Sequence, residues 1–341
     1  MTQLQEHNIH TPIPILEDMR IELLRDCSLL CAHCSAYAAP HHMLQLPLQR
    51  VLSLVDEFAS MSGCRVTLTG GEPLMYSGIE KILQRCSERR LHTRLFSSGI
   101  VFDNSKRVAG HKMLKKCAPF LDIVMYSVYS INAESHDRIT RIPGSLQLTL
   151  EAIKHTVALG IEAEIHFVPT QINYRELPDV VALAASLNIT QVGILRFVPH
   201  GRGKSRSDTL TLNREEHLWL RNIILALHKS YPHITLHVGS AYNLLKAGTH
   251  HPCTAGISQI VIEANGNIVP CSAFSNIHVK DKLGNILRQP LQTVWEQSVY
   301  LQQVRETLTD THSCSGCLAQ KAILAGRIDS QIHDPLERLV H

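Results

Sequence analysis

The chain has 341 residues, 44% hydrophobic and 18% charged, enough to bury a large core in one or two domains. Its 33 basic and 30 acidic residues leave a net charge of +3, which gives no electrostatic case for a nucleic-acid partner. No apolar run approaches the roughly 20 residues of a membrane span, and the polar start Met1-Thr-Gln-Leu-Gln-Glu6 lacks a signal peptide's apolar core, so a cytoplasmic chain without a membrane partner is expected.

Residues 1–18, with Pro12 and Pro14, read as a lead-in arm. Strand and helix patterns then alternate. Strands are expected at Met19–Arg25, Cys64–Thr69, Leu91–Ser97, Leu121–Tyr129, Ile161–Val168 and Gln191–Val198. Helices are expected at Leu48–Ser60, Ile79–Cys86, Lys106–Cys117, Leu146–Leu159, Leu177–Leu187 and Arg214–His228. The apolar positions Leu146, Leu150, Ile153 and Val157 show the helical period. Six strands alternating with helices predict an α/β fold of parallel βαβ units, and the length suits a (βα)6 partial TIM barrel over residues 19–232. Chemistry in such barrels sits at the carboxyl ends of the strands.

The first strand runs into Cys27-Ser-Leu-Leu-Cys31-Ala-His-Cys34, three cysteines within eight residues. A loop with this spacing can wrap three soft thiolate ligands around one iron–sulfur cluster, leaving one iron open. A zinc knuckle or three unrelated thiols are the bland alternatives. The second strand ends in Gly70-Gly71-Glu72-Pro73, whose glycines let the backbone approach a ligand and whose carboxylate can accept hydrogen bonds from an ammonium group. The third and fourth strands end in hydroxyl-bearing stretches, Phe96-Ser97-Ser98-Gly99 and Tyr126-Ser127-Val128-Tyr129-Ser130. Serines that merely cap the strand ends are the alternative there. Residues 233–341 carry a second set, Cys253, Cys271, Cys314 and Cys317, with Asn265-Gly266 between apolar runs as a hairpin signal and a helix around Leu291–Val304. Four cysteines can complete an all-thiolate cluster shell or a structural zinc ribbon. Cys64, Cys86 and Cys117 read as small buried apolar residues. The 21 histidines are scattered without an HExxH, and His233 and His237 flank a strand-like Ile-Thr-Leu.

The cysteine loop followed by the Gly-Gly-Glu segment resembles the radical S-adenosylmethionine (SAM) enzymes. The C-terminal region resembles their SPASM and twitch extensions: a cysteine, then Gly266 to Cys271 as Gly-x-x-x-x-Cys, then Leu283-Gly-Asn-Ile286 and a helix with Trp295. No cysteine follows Cys317, which fits the shorter, twitch-type β-hairpin/helix domain with a single auxiliary cluster. The resemblance implies a 4Fe-4S cluster on Cys27, Cys31 and Cys34, an auxiliary 4Fe-4S cluster on the second set, and SAM as co-substrate. It implies that Gly70, Gly71, Glu72 and Pro73 hold the SAM amino group and that His33 packs beside the adenine. It further places Ser98, Ser127, Arg141 and Arg196 toward the rest of SAM, with apolar residues of the fifth strand lining the adenine site. The Gly201-Arg202-Gly203 loop, with Lys204 and Arg206, is expected at the active-site mouth, where it suits a carboxylate or phosphate. His166 and Tyr129 are the candidates for taking a proton; no catalytic residue is otherwise assigned. The expected reaction is hydrogen abstraction from a ribosomally made peptide, which the stretch Tyr129–Gly144 suggests, although with the cluster loop beginning at Cys27 no N-terminal peptide-recognition domain is expected. The alternatives are a small-molecule dehydrogenase acting on a sugar or aminocyclitol, and a non-catalytic metal-binding protein. The expected reductant is a flavodoxin or ferredoxin.

Overall fold

The computed structural model describes residues 13–239, 242, 253–274 and 284–309. Its strands are β1 (Asp18–Glu22), β2 (Arg65–Thr69), β3 (His92–Ser97), β4 (Ile100–Asp103), β5 (Lys106–Ala109), β6 (Ile123–Ser127), β7 (Glu162–Phe167), β8 (Gln191–Ile194), β9 (Thr235–Val238), β10 (Gln259–Ile262) and β11 (Ile268–Val269). Its helices are α1 (Leu48–Ser60), α2 (Ile79–Glu88), α3 (His111–Cys117), α4 (Ala133–Thr140), α5 (Ser145–Ala158), α6 (Leu177–Ser186), α7 (Ser207–Leu210), α8 (Arg214–Ser230), α9 (Leu291–Gln297) and α10 (Val299–Thr309). None of the described helices is long and apolar enough to cross a membrane.

Nine strands form one sheet in the order β11-β10-β1-β2-β3-β6-β7-β8-β9, parallel throughout except for the β10–β11 hairpin. Six of them, β1, β2, β3, β6, β7 and β8, are the βα strands of a partial barrel. β9 extends that sheet past residue 232, and β10 pairs with β1, so the C-terminal hairpin continues it at the other edge.

Because side chains alternate across a strand, each face has its own character. Met19, Ile21, Val66, Leu68, Leu95, Val124, Ile165 and Val192 point to the helices and are sealed in one core with Val51, Leu54, Ile82 and Val180. The opposite positions carry Arg20, Glu22, Arg94, Glu164 and His166. The inner face is therefore polar: the Glu164 carboxylate meets His166 Nε2 at 2.9 Å, and His237 Nε2 meets Gln191 Oε1 at 2.9 Å. Of the apolar residues expected in the fifth barrel strand, Ala163, Ile165 and Phe167 belong to the helix-facing core and Glu164 and His166 take the interior positions, while Val168 at the carboxyl end lines a cavity at the strand ends.

Several expected elements are redrawn. Lys106–Cys117 is not one helix: β5 pairs with β4 in a hairpin before α3 begins at His111. Its two-residue turn, Asn104 and Ser105, has φ of +46° and +65°, the handedness a tight hairpin requires. Asn132 caps an additional helix, α4, by accepting from Glu134 N and Ser135 N. Val157 lies at 42% exposure, off the buried stripe of α5. Cys86 and Cys117 are buried, but Cys64 is exposed, its thiol directed at the Glu17 carbonyl at 3.2 Å. The helix expected over Leu291–Val304 breaks at Ser298 into α9 and α10.

The C-terminal segment is stitched to the barrel by polar contacts. Arg50 on α1 donates to the carbonyls of Ile286 and Gln289, and its partner Glu57 accepts from Leu291 N at 2.7 Å. Trp295 Nε1 donates to Pro14 O at 2.8 Å, so the arm entering β1 is anchored by α9.

Candidate active site

At the carboxyl ends of the barrel strands lies a cavity of about 320 Å³. Cys27, Cys31 and Cys34 line it on one side; Gly70, Gly71, Ser98, Ser127 and Tyr129 line it from the ends of β2, β3 and β6. The cysteine loop is held from three directions. Leu30 N and Ala32 N donate to the carbonyls of Thr140 and Ile139 at the end of α4. Ser28 Oγ donates to Ile100 O at 2.7 Å and Arg107 Nε to Ser28 O at 2.6 Å, tying the loop to the β4–β5 hairpin. From the loop after β8, Arg202 N donates to Cys34 O.

Burial pushes the Cys27 thiol well above the ordinary range, and burial with the neighbouring Cys34 pushes Cys31 up to about 12. Cys27 and Cys31 therefore stay protonated at neutral pH unless a metal takes the proton's place. Among the described residues no three His, Cys, Asp or Glu side chains converge on one metal ion. A 4Fe-4S cluster does not require that convergence, since each thiolate binds its own iron. The donor set therefore fits a cluster with three protein ligands.

The Gly-Gly-Glu turn serves the scaffold first. Gly70 has φ of +131°, and a Cβ there would lie 2.4 Å from Leu24 O; at Gly71 it would lie 2.0 Å from Asp26 O. Only glycines let this turn press on the chain entering the cysteine loop, where Gly71 N donates to Leu24 O and Glu72 N to Asp26 O. Glu72 is fully buried and is not among the residues lining the cavity. Its carboxylate accepts from Ser97 Oγ at 2.6 Å, Ser98 N at 2.9 Å, Ser98 Oγ at 2.6 Å and Leu74 N at 3.1 Å. Burial raises its pKa against the pull of these bonds. The side chain expected to grip an ammonium group is directed at Ser97 and Ser98, and it is these serines that line the cavity. Pro73 is buried at the start of a single 3-10 turn beside it.

His33 and Tyr129 meet edge to face with ring centroids 4.6 Å apart. Burial, aided by Arg202 and His136, holds His33 down to about 4, so it is neutral. Burial and the nearby Cys31 raise the Tyr129 phenol well above its usual range, and a neutral phenol is no proton acceptor. His166 does not line the cavity; its ring meets that of Phe96 edge-on at 4.7 Å. Arg196 lines the cavity. Arg141 does not: it is the left-handed C-cap of α4, with φ of +63°, and is exposed. Lys204 and Arg206 are exposed, whereas Arg202 lines the cavity.

Glu22, Arg20 and, from the C-terminal segment, Val261 and Ser272 also line it, and none of these was singled out from the sequence. The signal was the alternation Met19-Arg20-Ile21-Glu22, which marks a strand with one polar face. Burial and the neighbouring Glu263 raise the Glu22 carboxyl to about 7. Cys253 and Cys271 are half-buried, and Cys271 adjoins Ser272 at the cavity. Leu283, Cys314 and Cys317 lie outside the described residues.

The radical SAM superfamily model matches residues 21–184, and the SPASM model, an iron–sulfur cluster-binding domain, matches residues 253–318. The chain is 27% identical over 304 residues to the mycofactocin maturase MftC of Mycolicibacterium smegmatis, covering 87% of this chain and 74% of that one. It is 21% identical over 324 residues to the AdoMet-dependent heme synthase of Nitratidesulfovibrio vulgaris, covering 87% and 83%. The fold matches that of Streptococcus suis SuiB bound to its precursor peptide SuiA with a TM-score of 0.70 at 14% identity, over 91% of this chain and 76% of that one. The chain belongs to the radical SAM superfamily, enzymes that bind SAM and a 4Fe-4S cluster, and carries in addition a SPASM-type iron–sulfur cluster-binding domain.

Proposed function

We propose that this enzyme modifies a ribosomally made peptide by abstracting a hydrogen atom from it. The observation that carries the reading is the placement of Cys27, Cys31 and Cys34 around the same cavity as Gly70, Gly71, Ser98 and Ser127, at the carboxyl ends of parallel strands. The maturase relative and the peptide-bound structural neighbour support the substrate class.

Cys27, Cys31 and Cys34 hold the SAM-binding cluster, and residues 19–232 form the unit that cleaves SAM. Bound there, cluster and SAM supply a 5′-deoxyadenosyl radical that takes the hydrogen atom. Gly70 and Gly71 bring backbone to the cavity, Glu72 and Pro73 fix that turn, and Ser98 and Ser127 offer hydroxyls to the SAM carboxylate or ribose. His33, neutral and backed by Tyr129, offers a flat face for the adenine. Arg196 offers the cavity a cation. Glu22, rather than Tyr129, is the cavity-lining group able to exchange a proton near neutral pH. Residues 233–341 carry one auxiliary cluster on Cys253, Cys271, Cys314 and Cys317. The division at 232 is one of role, since β9 and β10 extend the barrel's own sheet. A flavodoxin or ferredoxin in the cytoplasm supplies the electron.

Anaerobic incubation with SAM, dithionite and candidate peptides tests the reading by following 5′-deoxyadenosine. Formation that rises with a peptide and leaves a mass change on it supports the reading. The heme-synthase relative favours a second reading, a small-molecule substrate. Stimulation by a small molecule and by no peptide would establish that reading instead.

A further inference from the structure

Gly201, Arg202 and Gly203 open the 3-10 segment Gly201–Arg206 after β8. Their basic character suggested a site for an anionic ligand, but the contacts point elsewhere. Arg202 N donates to Cys34 O at 3.0 Å, and Arg202 Nε donates to Cys31 O at 3.0 Å. Gly201 takes φ of +52°, and a Cβ there would lie 2.5 Å from the carbonyl oxygens of both Cys34 and Ser35. At Gly203 a Cβ would lie 2.8 Å from the Phe197 ring and 3.4 Å from His33 O. The two glycines thus let this segment lie flat on the Cys31–Ser35 turn, with Arg202 as its clasp.

The guanidinium has no carboxylate partner among the described residues. It lies over the Tyr37 ring at 5.5 Å and lines the cavity beside the thiols. Its charge is felt at Cys31 and at His33. Net charge around an iron–sulfur cluster is one of the factors that set its reduction potential. A fixed cation favours the reduced, more negative cluster. Arg combines a permanent charge with an Nε donor of fixed direction, which Lys does not.

We propose that Arg202 is a positioning residue for the SAM-binding cluster: it clasps the Cys31–Cys34 turn through two carbonyls, and its charge holds the cluster's reduction potential up. The proposal rests on the reading that Cys27, Cys31 and Cys34 hold that cluster.

The test uses the full chain, reconstituted anaerobically with iron and sulfide, as wild type, Arg202→Lys and Arg202→Gln. A dithionite titration followed by electron paramagnetic resonance gives the midpoint potential of the signal that changes when SAM is added. The expected result is a shift to more negative potential in Arg202→Gln and a smaller shift in Arg202→Lys, which keeps the charge. An unchanged potential in Arg202→Gln, or equal shifts in both variants, would overturn the proposal. If Arg202→Gln binds no SAM-responsive cluster while circular dichroism shows it folded, a cluster retained by Arg202→Lys supports the proposal and its loss from both alike overturns it. A wild-type protein without any SAM-responsive cluster would overturn the proposal and the underlying reading together, whereas an unshifted variant removes the proposal alone.

Discussion

Glu72 and Ser98 form a closed pair: the buried carboxylate accepts from both the amide and the hydroxyl of Ser98, at 2.9 and 2.6 Å. The Gly-Gly-Glu turn after β2 thereby fixes the end of β3, and Ser98 is the member that faces the cavity. A glutamate that only gripped a ligand would leave the ligand-free protein indifferent to its loss.

Glu72→Gln tests this difference. Gln presents an NH2 where Ser98 N and Leu74 N need acceptors, so at least one charge-assisted bond is lost, at a cost of ~1.5–3 kcal/mol. Thermal unfolding without SAM should therefore show a lowered midpoint. SAM binding should weaken about ten-fold because Ser98 is no longer held. An apo midpoint equal to wild type would return Glu72 to a purely ligand-facing role.

The triple variant Cys27→Ala, Cys31→Ala, Cys34→Ala separates the two cysteine sets. Iron and sulfide counts should fall from roughly eight of each to roughly four of each, for loss of one of two 4Fe-4S centres. Reductive formation of 5′-deoxyadenosine should disappear with the first cluster. Continued formation by the triple variant would place SAM cleavage elsewhere.

Glu22 should leave a mark on stability against pH. Its folded-state pKa, about 7, is raised from an ordinary 4.5 by burial first and by Glu263 second, with Arg25 opposing. On the β2 side it faces uncharged Thr69. The folded state therefore binds this proton more tightly than the unfolded chain. The resulting stabilisation is fully present below pH ~4.5 and is lost as pH rises through ~7, with ~3 kcal/mol as its upper limit. Glu22→Gln should flatten that decline, so the variant gains on wild type between pH 5 and 8. Parallel unfolding midpoints for the two proteins across this range would show that Glu22 is not titrating there.

The sequence was legible where a single strand or helix carries its own signal. The six βα strands announce themselves as apolar runs, because each buries one face against helices; Val66 and Leu68 are examples. The chemistry of the inner face was harder to read. Arg94, Glu164 and His166 interrupt such runs at every second position, and only pairing shows that they share one interior. The β4–β5 hairpin hides its turn at Asn104-Ser105 in front of a true helix, so the pattern merges into one longer helix. The clasp of Arg202 on Cys31 joins residues 171 apart, and no local spacing encodes it. Glu72 shows the remaining gap: the motif was visible, but the direction of its carboxylate depends on Ser97 and Ser98 arriving from another strand.

Gly71 and Gly160 offer a matched contrast for the role of the turn. At Gly71 a Cβ would lie 2.0 Å from Asp26 O and 2.7 Å from its carbon, backbone atoms at the start of the cysteine loop. Alanine there must push either the turn or that loop aside, and Glu72 and Cys27 are neighbours of the two displaced points. Gly160 has φ of +76°, but a Cβ there would meet nothing within 4 Å, so alanine costs only backbone strain, of order 1 kcal/mol. Gly71→Ala should therefore lose the SAM-responsive cluster signal while keeping most of its helix content, and Gly160→Ala should keep both with a slightly lowered unfolding midpoint. Iron analysis, circular dichroism and paramagnetic resonance on the two variants side by side decide the matter. A Gly71→Ala protein that assembled the cluster as wild type does would show that the turn can yield without moving the thiols.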